Sequence, residues 1–204
     1  MFYKIIKALL RFVTFFLFRI KAEGRENILP EGGMILALNH KSNWDPVVAA
    51  VASPRRLRFM AKSELFENKL VSKFLKALGA FPVHRGRGDI GAIKSALSIL
   101  KNDEPILIFP EGTRVHNESL SEAKPGTVML AIRSEVPVVP AYISGKYRLF
   151  SKITITFGKP IYYENYYGKK PVVEELQALS NSLLKEMRSY KIEKGKNKNV
   201  SGNR

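Results

Sequence analysis

Short apolar runs alternate with amphipathic stretches along most of this chain of 204 residues. An apolar run bounded by Gly, Pro or polar residues predicts a buried strand, whereas apolar residues that recur every three or four positions predict a helix. The predicted strands are residues 34–38, 57–61, 80–83, 106–109, 138–143 and 152–157. The predicted helices are residues 46–52, 69–78, 88–101, 125–135 and 171–190. This alternation predicts an α/β fold, a single domain with a mostly parallel central sheet flanked by helices.

The N-terminal segment, residues 2–20, combines many aromatic side chains with regularly spaced cations. Its longest uncharged run, residues 12–18, is far shorter than the ~20 apolar residues that span a bilayer. No small-residue cleavage site follows, so a signal peptide is not expected. On a helix with ~100° between residues, the cations form a narrow stripe and apolar side chains cover the remaining surface. These cations are Lys4, Lys7, Arg11 and Arg19.

Such an amphipathic helix is typical of the headgroup layer of a membrane. The alternative is a helix that packs in the core while its cations reach solvent along their aliphatic stems. Charge favours the membrane, because 34 Lys and Arg stand against 18 Asp and Glu and give a formal net charge of +16. This excess favours an anionic lipid surface, nucleic acid or a phosphorylated substrate. No recognised DNA- or RNA-binding module is present.

Several other chemistries lack their sequence signatures. The chain has no cysteine, which excludes disulfides, zinc–thiolate sites and thiol nucleophiles. It has neither a GxSxG nucleophile elbow nor a GxxxxGK phosphate loop. The histidines, His40, His84 and His116, do not have metal-ligand spacing. Residues 86–91 match GxGxxG, but the motif lies mid-chain and lacks the acidic residue expected after the next strand, so no dinucleotide site is predicted.

His40 and Asp45 form a candidate catalytic pair. His40 follows the predicted strand 34–38, and Asp45-Pro46 has the residue types favoured at a helix start, with Asp as the N-cap. In one continuous helix, side chains five residues apart would point about 140° away from each other. A turn between them instead lets the carboxylate orient the imidazole, whose other nitrogen can accept a proton from a hydroxyl. Taken alone, a helix cap beside a surface histidine is the simpler interpretation.

Two further predicted strands lead into an arginine. Residues 106–109 run into Pro110-Glu111-Gly112-Thr113-Arg114, and residues 80–83 run into His84-Arg85. Open α/β sheets bind ligands at the carboxyl ends of their strands, where a guanidinium can form two parallel hydrogen bonds with a phosphate. Glu111 could orient Arg114 or a substrate hydroxyl. A turn with a surface ion pair is an equally good interpretation of residues 110–114 by themselves.

Taken in order, four segments resemble the sequence blocks of the glycerolipid acyltransferase family of the HxxxxD type. The resemblance is closest to its bacterial 1-acyl-sn-glycerol-3-phosphate acyltransferases and covers roughly residues 25–160. The matching segments are residues 39–45, 79–85, 109–114 and 136–140. His84 is a departure, because the family usually has Asp or Asn before this arginine, and the departure bears on how the acceptor is bound.

The resemblance implies a role for each matching residue. His40 would be the catalytic base and Asp45 its orienting partner, with no covalent acyl-enzyme. Pro140 would help to shape a substrate pocket. The glycerol phosphate of the substrate would be bound by Arg85, Glu111, Gly112, Thr113 and Arg114. No metal and no organic cofactor is implied.

The reaction implied is transfer of an acyl chain from acyl-CoA or acyl-carrier protein to the sn-2 hydroxyl of lysophosphatidic acid. The product would be phosphatidic acid, a step of phospholipid biosynthesis. Another lyso-lipid, such as a lyso-ornithine lipid, is the alternative acceptor. A non-catalytic basic protein that binds membrane or nucleic acid is the alternative of a different class, but such a protein would not need His40 and Asp45. Nucleic acid is therefore not expected as a partner.

The sequence is expected to divide into three segments. Residues 1–22 would form the amphipathic membrane-anchoring helix and residues 23–190 the acyltransferase domain. Residues 191–204 would form a basic disordered tail, because they are rich in Lys, Asn and Gly and have little to bury. The expected location is the cytoplasmic face of the cell membrane, where the protein would bind an anionic surface peripherally.

Overall fold

The path of the chain comes from a computed structural model, which describes residues 2–83, 90–115 and 122–191. The helices are α1 Phe2–Leu17, α2 Asp45–Ala52, α3 Lys69–Leu78, α4 Ile90–Lys101, α5 Gly126–Ser134 and α6 Val173–Ser189. The strands are β1 Phe18–Glu23, β2 Met34–Leu38, β3 Arg58–Lys62, β4 Ala80–Val83, β5 Pro105–Ile108, β6 Val138–Ser144 and β7 Ser151–Phe157. The strands and helices predicted from residue 34 onward all lie within two residues of their predicted bounds.

Within the described residues, seven strands form one sheet in the order β1-β7-β6-β2-β5-β3-β4. β6, β2, β5, β3 and β4 run parallel to one another, whereas β7 is antiparallel to β6 and pairs in parallel with β1. The predicted α/β fold with a mostly parallel sheet is confirmed. Because neighbouring parallel strands end at the same edge, the loops that follow β6, β2 and β5 meet there.

The central strand β2 is buried along its whole length, which explains its unbroken run of apolar residues. Its side chains alternate between two apolar layers. Leu36 lies in the layer that contains Val48 of α2, and Ile35 lies in the layer that contains Val128 of α5. Helix α2 therefore covers one face of the sheet, and α4, α5 and α6 cover the other.

Strand β1 corrects the predicted extent of the N-terminal helix. A helical segment is expected over residues 1–22, but α1 ends at Leu17 and the chain continues directly as a strand. Phe18 and Ile20 both pack on the core layer that contains α2, which is the two-residue period of a strand. β1 pairs along its whole length with β7. A helical pattern and an open strand edge compete for these residues, and pairing with β7 decides the outcome.

Helix α1 packs on the domain through one side and presents its apolar side to solvent. Ile6 and Thr14 are buried, and Lys7 Nζ donates a 2.6 Å hydrogen bond to the carbonyl oxygen of Ser53, which follows α2. The exposed apolar side, called the outer face of α1 below, consists of Ile5, Leu9, Phe12, Phe15 and Phe16. The interpretation of α1 as a helix whose apolar face packs in the core is therefore wrong. Of the helices in the described residues, none is long and apolar enough to cross a membrane.

Some predicted features lie outside the described residues. His84, Arg85 and most of the GxGxxG match at residues 86–91 fall between residues 83 and 90, and His116 falls in the next gap. The predicted disordered tail has only Lys191 within the described chain.

Candidate active site

The loop after β2 carries His40 and is fixed by two neighbouring parts of the sheet. Asn39 is buried, and its side-chain amide pairs with the backbone of β6: Oδ1 accepts the Ile143 N–H at 2.7 Å and Nδ2 donates to the Ile143 carbonyl at 3.3 Å. The His40 N–H donates to Glu111 Oε2 at 2.9 Å. The His40 carbonyl accepts the Val115 N–H at 2.8 Å. The backbone of the histidine is thus held by β6 and by the loop after β5.

The imidazole of His40 lies between an aromatic ring and a carboxylate. Its Nδ1 is 2.9 Å from Asp45 Oδ2. Its ring stacks on Phe109, with 4.0 Å between centroids and 18° between planes. In the tautomer in which Nδ1–H donates to this carboxylate, Nε2 has a lone pair that can accept a proton. The histidine side chain is 13% exposed, so part of the imidazole is accessible from solvent.

Asp45 is fully buried and accepts hydrogen bonds on both carboxylate oxygens. In addition to His40, Oδ2 accepts the backbone N–H groups of Lys41 and Ser42, each at 2.7 Å. Oδ1 accepts the hydroxyl of Tyr147 at 2.7 Å. These bonds replace the water that a buried carboxylate loses, and they fix its orientation toward the imidazole.

The start of α2 differs in one detail from the expectation for Asp45. The helix begins at Asp45 itself, and Trp44 occupies the N-cap without a side-chain hydrogen bond. The Asp45 carboxylate turns back to the preceding loop rather than capping the first helical N–H groups. Pro46 lies in the first helical turn, as predicted. The bend at residues 41–44 therefore brings the carboxylate onto His40, which one continuous helix would not do.

Tyr147 is a site residue that the sequence pattern did not reveal. It follows β6, whose carboxyl end lies beside that of β2 because the two strands pair in parallel. Burial, the charge of Asp45 and the hydrogen bond to Asp45, in that order, raise the pKa of Tyr147 well above its ordinary value. The phenol therefore remains a proton donor to Asp45. Tyr147 does lie shortly after the predicted strand 138–143. This position points to the site only when it is known which strand pairs with 138–143.

Lys41 joins the histidine loop to the loop that carries Tyr147. Its ammonium donates to the carbonyl oxygens of Ile143 at 2.7 Å and Gly145 at 2.8 Å. It also lies 5.9 Å from the centroid of the Tyr147 ring, within the range of a cation–π contact. No local pattern marks Lys41 as a site residue, because its partners are more than a hundred residues away in the sequence.

Four predicted substrate-binding residues, 111–114, lie on the loop after β5, which hydrogen-bonds to the backbone of His40. Glu111 is buried and supports the His40 backbone, a role that the sequence did not indicate. Gly112 has a φ of +72°, and a Cβ there would come within 2.8 Å of Lys124 Cδ, so the position favours glycine. The exposed Arg114 adjoins Val115, the residue that bonds to His40.

Thr113 is exposed on the same loop. Pro140 is buried within β6, in register with Ala37 of β2, so it belongs to the sheet rather than to a loop. Arg85 lies outside the described residues. The binding roles of these residues stay predictions.

Comparison with known proteins places this site in a family context. Residues 19–144 match the family model described as Acyltransferase. The chain is 33% identical over 171 residues to the 1-acyl-sn-glycerol-3-phosphate acyltransferase of Bacillus subtilis, and the match covers 80% of this chain and 84% of that relative. It is 34% identical over 134 residues to the protein of the same name from Streptococcus pneumoniae, covering 62% of this chain and 49% of that relative.

The fold is shared with a solved structure. The crystal structure of the 1-acyl-sn-glycerophosphate (LPA) acyltransferase from Thermotoga maritima matches with a TM-score of 0.71 at 23% identity. The match covers 90% of this chain and 77% of that one.

Proposed function

The chain belongs to the acyltransferase family, and from this premise we propose that it acylates the sn-2 hydroxyl of lysophosphatidic acid to give phosphatidic acid. The observation that carries the proposal is the contact of 2.9 Å between His40 Nδ1 and the buried carboxylate of Asp45. The choice of acceptor is supported by the two bacterial relatives, which are 1-acyl-sn-glycerol-3-phosphate acyltransferases. A non-catalytic binding protein would have no need of a buried carboxylate that orients a histidine.

In the proposed reaction, His40 acts as a general base. Nε2 accepts the proton of the acceptor hydroxyl while Nδ1–H donates to Asp45. The hydroxyl oxygen forms a bond to the carbonyl carbon of an acyl thioester, supplied as acyl-CoA or acyl-carrier protein. The carbon–sulfur bond then breaks, and the leaving thiolate takes the proton from the imidazolium. The atoms and charges balance without an electron carrier, so we propose that the reaction needs no cofactor.

The phosphate of the acceptor is proposed to bind at the loop after β5. The guanidinium of Arg114 is exposed there, and the residue after it is hydrogen-bonded to the backbone of His40. An Arg side chain binds a phosphate through two parallel hydrogen bonds, which would hold the acceptor at a fixed distance from the base. The other residues proposed to bind substrate are Arg85, Glu111, Gly112, Thr113 and Pro140.

The acceptor is a membrane lipid, and the protein is proposed to bind a membrane surface through α1. The outer face of α1 is apolar and exposed, while Lys4 and Arg11 are exposed on its flank. This arrangement suits a helix that lies at the boundary between headgroups and acyl chains. The net charge of +16 favours an anionic leaflet, and the proposed location is the cytoplasmic face of the membrane.

An acyl-transfer assay with a panel of acceptors tests the proposed function. The wild type and His40→Ala are assayed in detergent micelles with acyl-CoA or acyl-carrier protein as donor. The acceptors are lysophosphatidic acid, lysophosphatidylcholine and a lyso-ornithine lipid. We expect the highest kcat/KM with lysophosphatidic acid, and we expect His40→Ala to lower kcat by roughly 10²–10⁴, the usual contribution of a general base.

Two controls make this assay decisive. Asp45→Asn tests the orienting role separately, and the unfolding midpoint of each variant shows whether it is folded. Turnover near the wild-type rate by folded His40→Ala would contradict the mechanism. A higher kcat/KM with the lyso-ornithine lipid would contradict the proposed acceptor but not the acyl transfer.

A further inference from the structure

A basic cavity of about 650 Å³ lies between α1 and β1, lined by none of the active-site residues named above. Phe15 and Phe18 supply part of its apolar surface. No carboxylate is among the described residues that line it. Five cations line it: Arg11, Arg19, Lys21, Arg25 and Lys152. It is called the α1–β1 cavity below.

Two cations of the α1–β1 cavity lie side by side on paired strands. Arg19 of β1 and Lys152 of β7 are register partners on neighbouring strands, where like charges are unfavourable. Lys21 is compensated, because its ammonium lies 2.7 Å from a Glu23 carboxylate oxygen. Arg19 Nε donates to the carbonyl oxygen of Phe150 at 3.3 Å. Because a carbonyl group is neutral, this hydrogen bond does not cancel the positive charge of Arg19. An anion bound in the cavity would relieve this repulsion.

The positive potential extends to the side of α1 that packs on the domain. Burial, followed by the charges of Arg11 and Arg25, lowers the pKa of Lys7. Lys7 lies one turn before Arg11 on the helix, so the part of this shift that is due to charge comes from cations that line the cavity.

The position of the cavity on α1 indicates which kind of anion it suits. Arg11 and Phe15 lie one helical turn apart, so the cation and the ring share one side of the helix. Phe15 is 76% exposed and also belongs to the outer face of α1. The cavity thus opens beside the face proposed to contact acyl chains, with its cations where headgroups would lie.

We infer that the α1–β1 cavity binds the phosphate of an anionic phospholipid, at a site separate from the one that binds the acceptor. The inference rests on the proposed docking of α1 to a membrane and adds to it a choice of lipid. A soluble phosphate would satisfy the cations equally well, but it would make no use of the apolar surface or of the adjoining outer face. The bound lipid would hold the protein on an anionic membrane.

Vesicle binding by two matched variants tests the site. Arg25→Gln with Lys152→Gln removes two cations from the cavity, whereas Arg133→Gln with Lys185→Gln removes two exposed cations from α5 and α6. Both pairs lower the net charge equally. Binding to vesicles of phosphatidylglycerol mixed with phosphatidylcholine is compared with binding to phosphatidylcholine alone. We call the first double variant the cavity pair and the second the control pair. We expect the preference for phosphatidylglycerol to be at least about tenfold weaker in the cavity pair than in the wild type, and less than about threefold weaker in the control pair.

Direct binding is measured with soluble dihexanoyl phosphatidylglycerol. Trp44 is the only tryptophan, and its ring lies 5.3 Å from that of Phe18, which lines the cavity. We expect saturable changes in Trp44 fluorescence for the wild type and the control pair, and none for the cavity pair. Inorganic phosphate and coenzyme A serve as soluble competitors. Equal competition by coenzyme A at matched concentration would assign the cavity to the acyl donor and overturn the proposal.

Other results of the vesicle experiment would overturn the proposed lipid site. An unchanged preference for phosphatidylglycerol in the cavity pair, equal losses in both pairs, or loss of binding to both kinds of vesicle would each overturn the site. Acyl transfer by the wild-type protein in detergent micelles is measured separately. Its absence would contradict the proposed function, while the vesicle preference alone decides whether the cavity binds anionic lipid.

Discussion

Asp45 depends on four hydrogen-bond donors to remain in a site that excludes water. Two of them are backbone N–H groups of its own loop, and the third is the histidine that it orients. The fourth, the Tyr147 hydroxyl, comes from a residue 102 positions away in the sequence. Removing this hydroxyl leaves Oδ1 without its donor in a buried place, so Tyr147 contributes to the stability of the site as well as to its geometry.

Replacement of Tyr147 by phenylalanine should therefore change the stability of the protein in a pH-dependent way. We expect Tyr147→Phe to lower the free energy of unfolding by about 1–3 kcal/mol near neutral pH. The deficit should narrow above about pH 10, where an unfolded tyrosine loses its proton. Because the pKa of Tyr147 is raised in the folded state, the wild type loses stability as the pH rises through this range, and the variant does not share that loss. Denaturant unfolding at a series of pH values measures both effects.

Tyr162→Phe is the matched control for this measurement. Tyr162 is 52% exposed, so its replacement should change the free energy of unfolding by less than about 0.5 kcal/mol. A deficit of Tyr147→Phe that stays constant from neutral to alkaline pH would show that the folded state does not raise the pKa of this tyrosine.

The sequence could identify some site residues and not others. His40 and Asp45 are five positions apart, and the Asp-Pro helix start alone indicates that the two side chains can meet. Glu111 and Tyr147 lie in loops far along the chain, and their contacts follow from the order of the strands. Residue type marks them as polar or aromatic, but no local pattern states which strand ends beside β2.

At the scale of elements, α1 is the helix with the most unusual surface. It turns its cationic Lys7 toward the domain and Phe12, Phe15 and Phe16 outward, the reverse of a helix in a soluble protein. The sequence predicted this amphipathic pattern correctly. It did not predict that the helix would end at Leu17, because the following residues are recruited as an edge strand beside β7.

Substitution within the outer face of α1 tests its proposed contact with a membrane. We expect Phe12→Ser combined with Phe16→Ser to weaken co-sedimentation with vesicles by at least about 100-fold, since burial of each Phe contributes about 1.5–3 kcal/mol. Both residues are more than half exposed, so the fold should be retained. Deletion of residues 1–20 is a poorer test, because it would also remove half of β1.

The matched control for the outer face is Val172→Ser combined with Val173→Ser. These two side chains are 58% and 69% exposed at the start of α6, and they should be dispensable for vesicle binding. Unchanged co-sedimentation of the Phe12 and Phe16 variant would show that α1 is not the membrane contact.

At the scale of the whole molecule, charge and sheet topology act on different aspects of function. The net charge of +16 adds a long-range attraction to any anionic surface but does not select a reaction. The parallel arrangement of β6, β2 and β5 gathers three loops at one edge and so creates the site. A change of overall charge should therefore affect membrane affinity and leave the catalytic geometry intact.

The salt dependence of vesicle binding checks the contribution of charge. Raising the salt from about 0.1 M to about 1 M shortens the screening length from about 10 Å to about 3 Å. We expect binding to anionic vesicles to weaken strongly over this range, and binding to phosphatidylcholine vesicles to be retained. Salt-independent binding to anionic vesicles would show that the apolar outer face acts without help from the charge.

Local sequence patterns are sufficient to predict the α/β elements, the amphipathic character of the N-terminal segment and the likeness of four blocks to one enzyme family. Each of these is encoded locally, in the period of apolar residues and in the residues that begin and end helices and strands. Three features emerge only once the chain is folded: Phe18 starts a strand, Tyr147 binds Asp45 and Glu111 holds the backbone of His40. Each of these contacts joins segments brought together by strand pairing, so its partners are fixed by the order of strands in the sheet rather than by neighbours in the sequence.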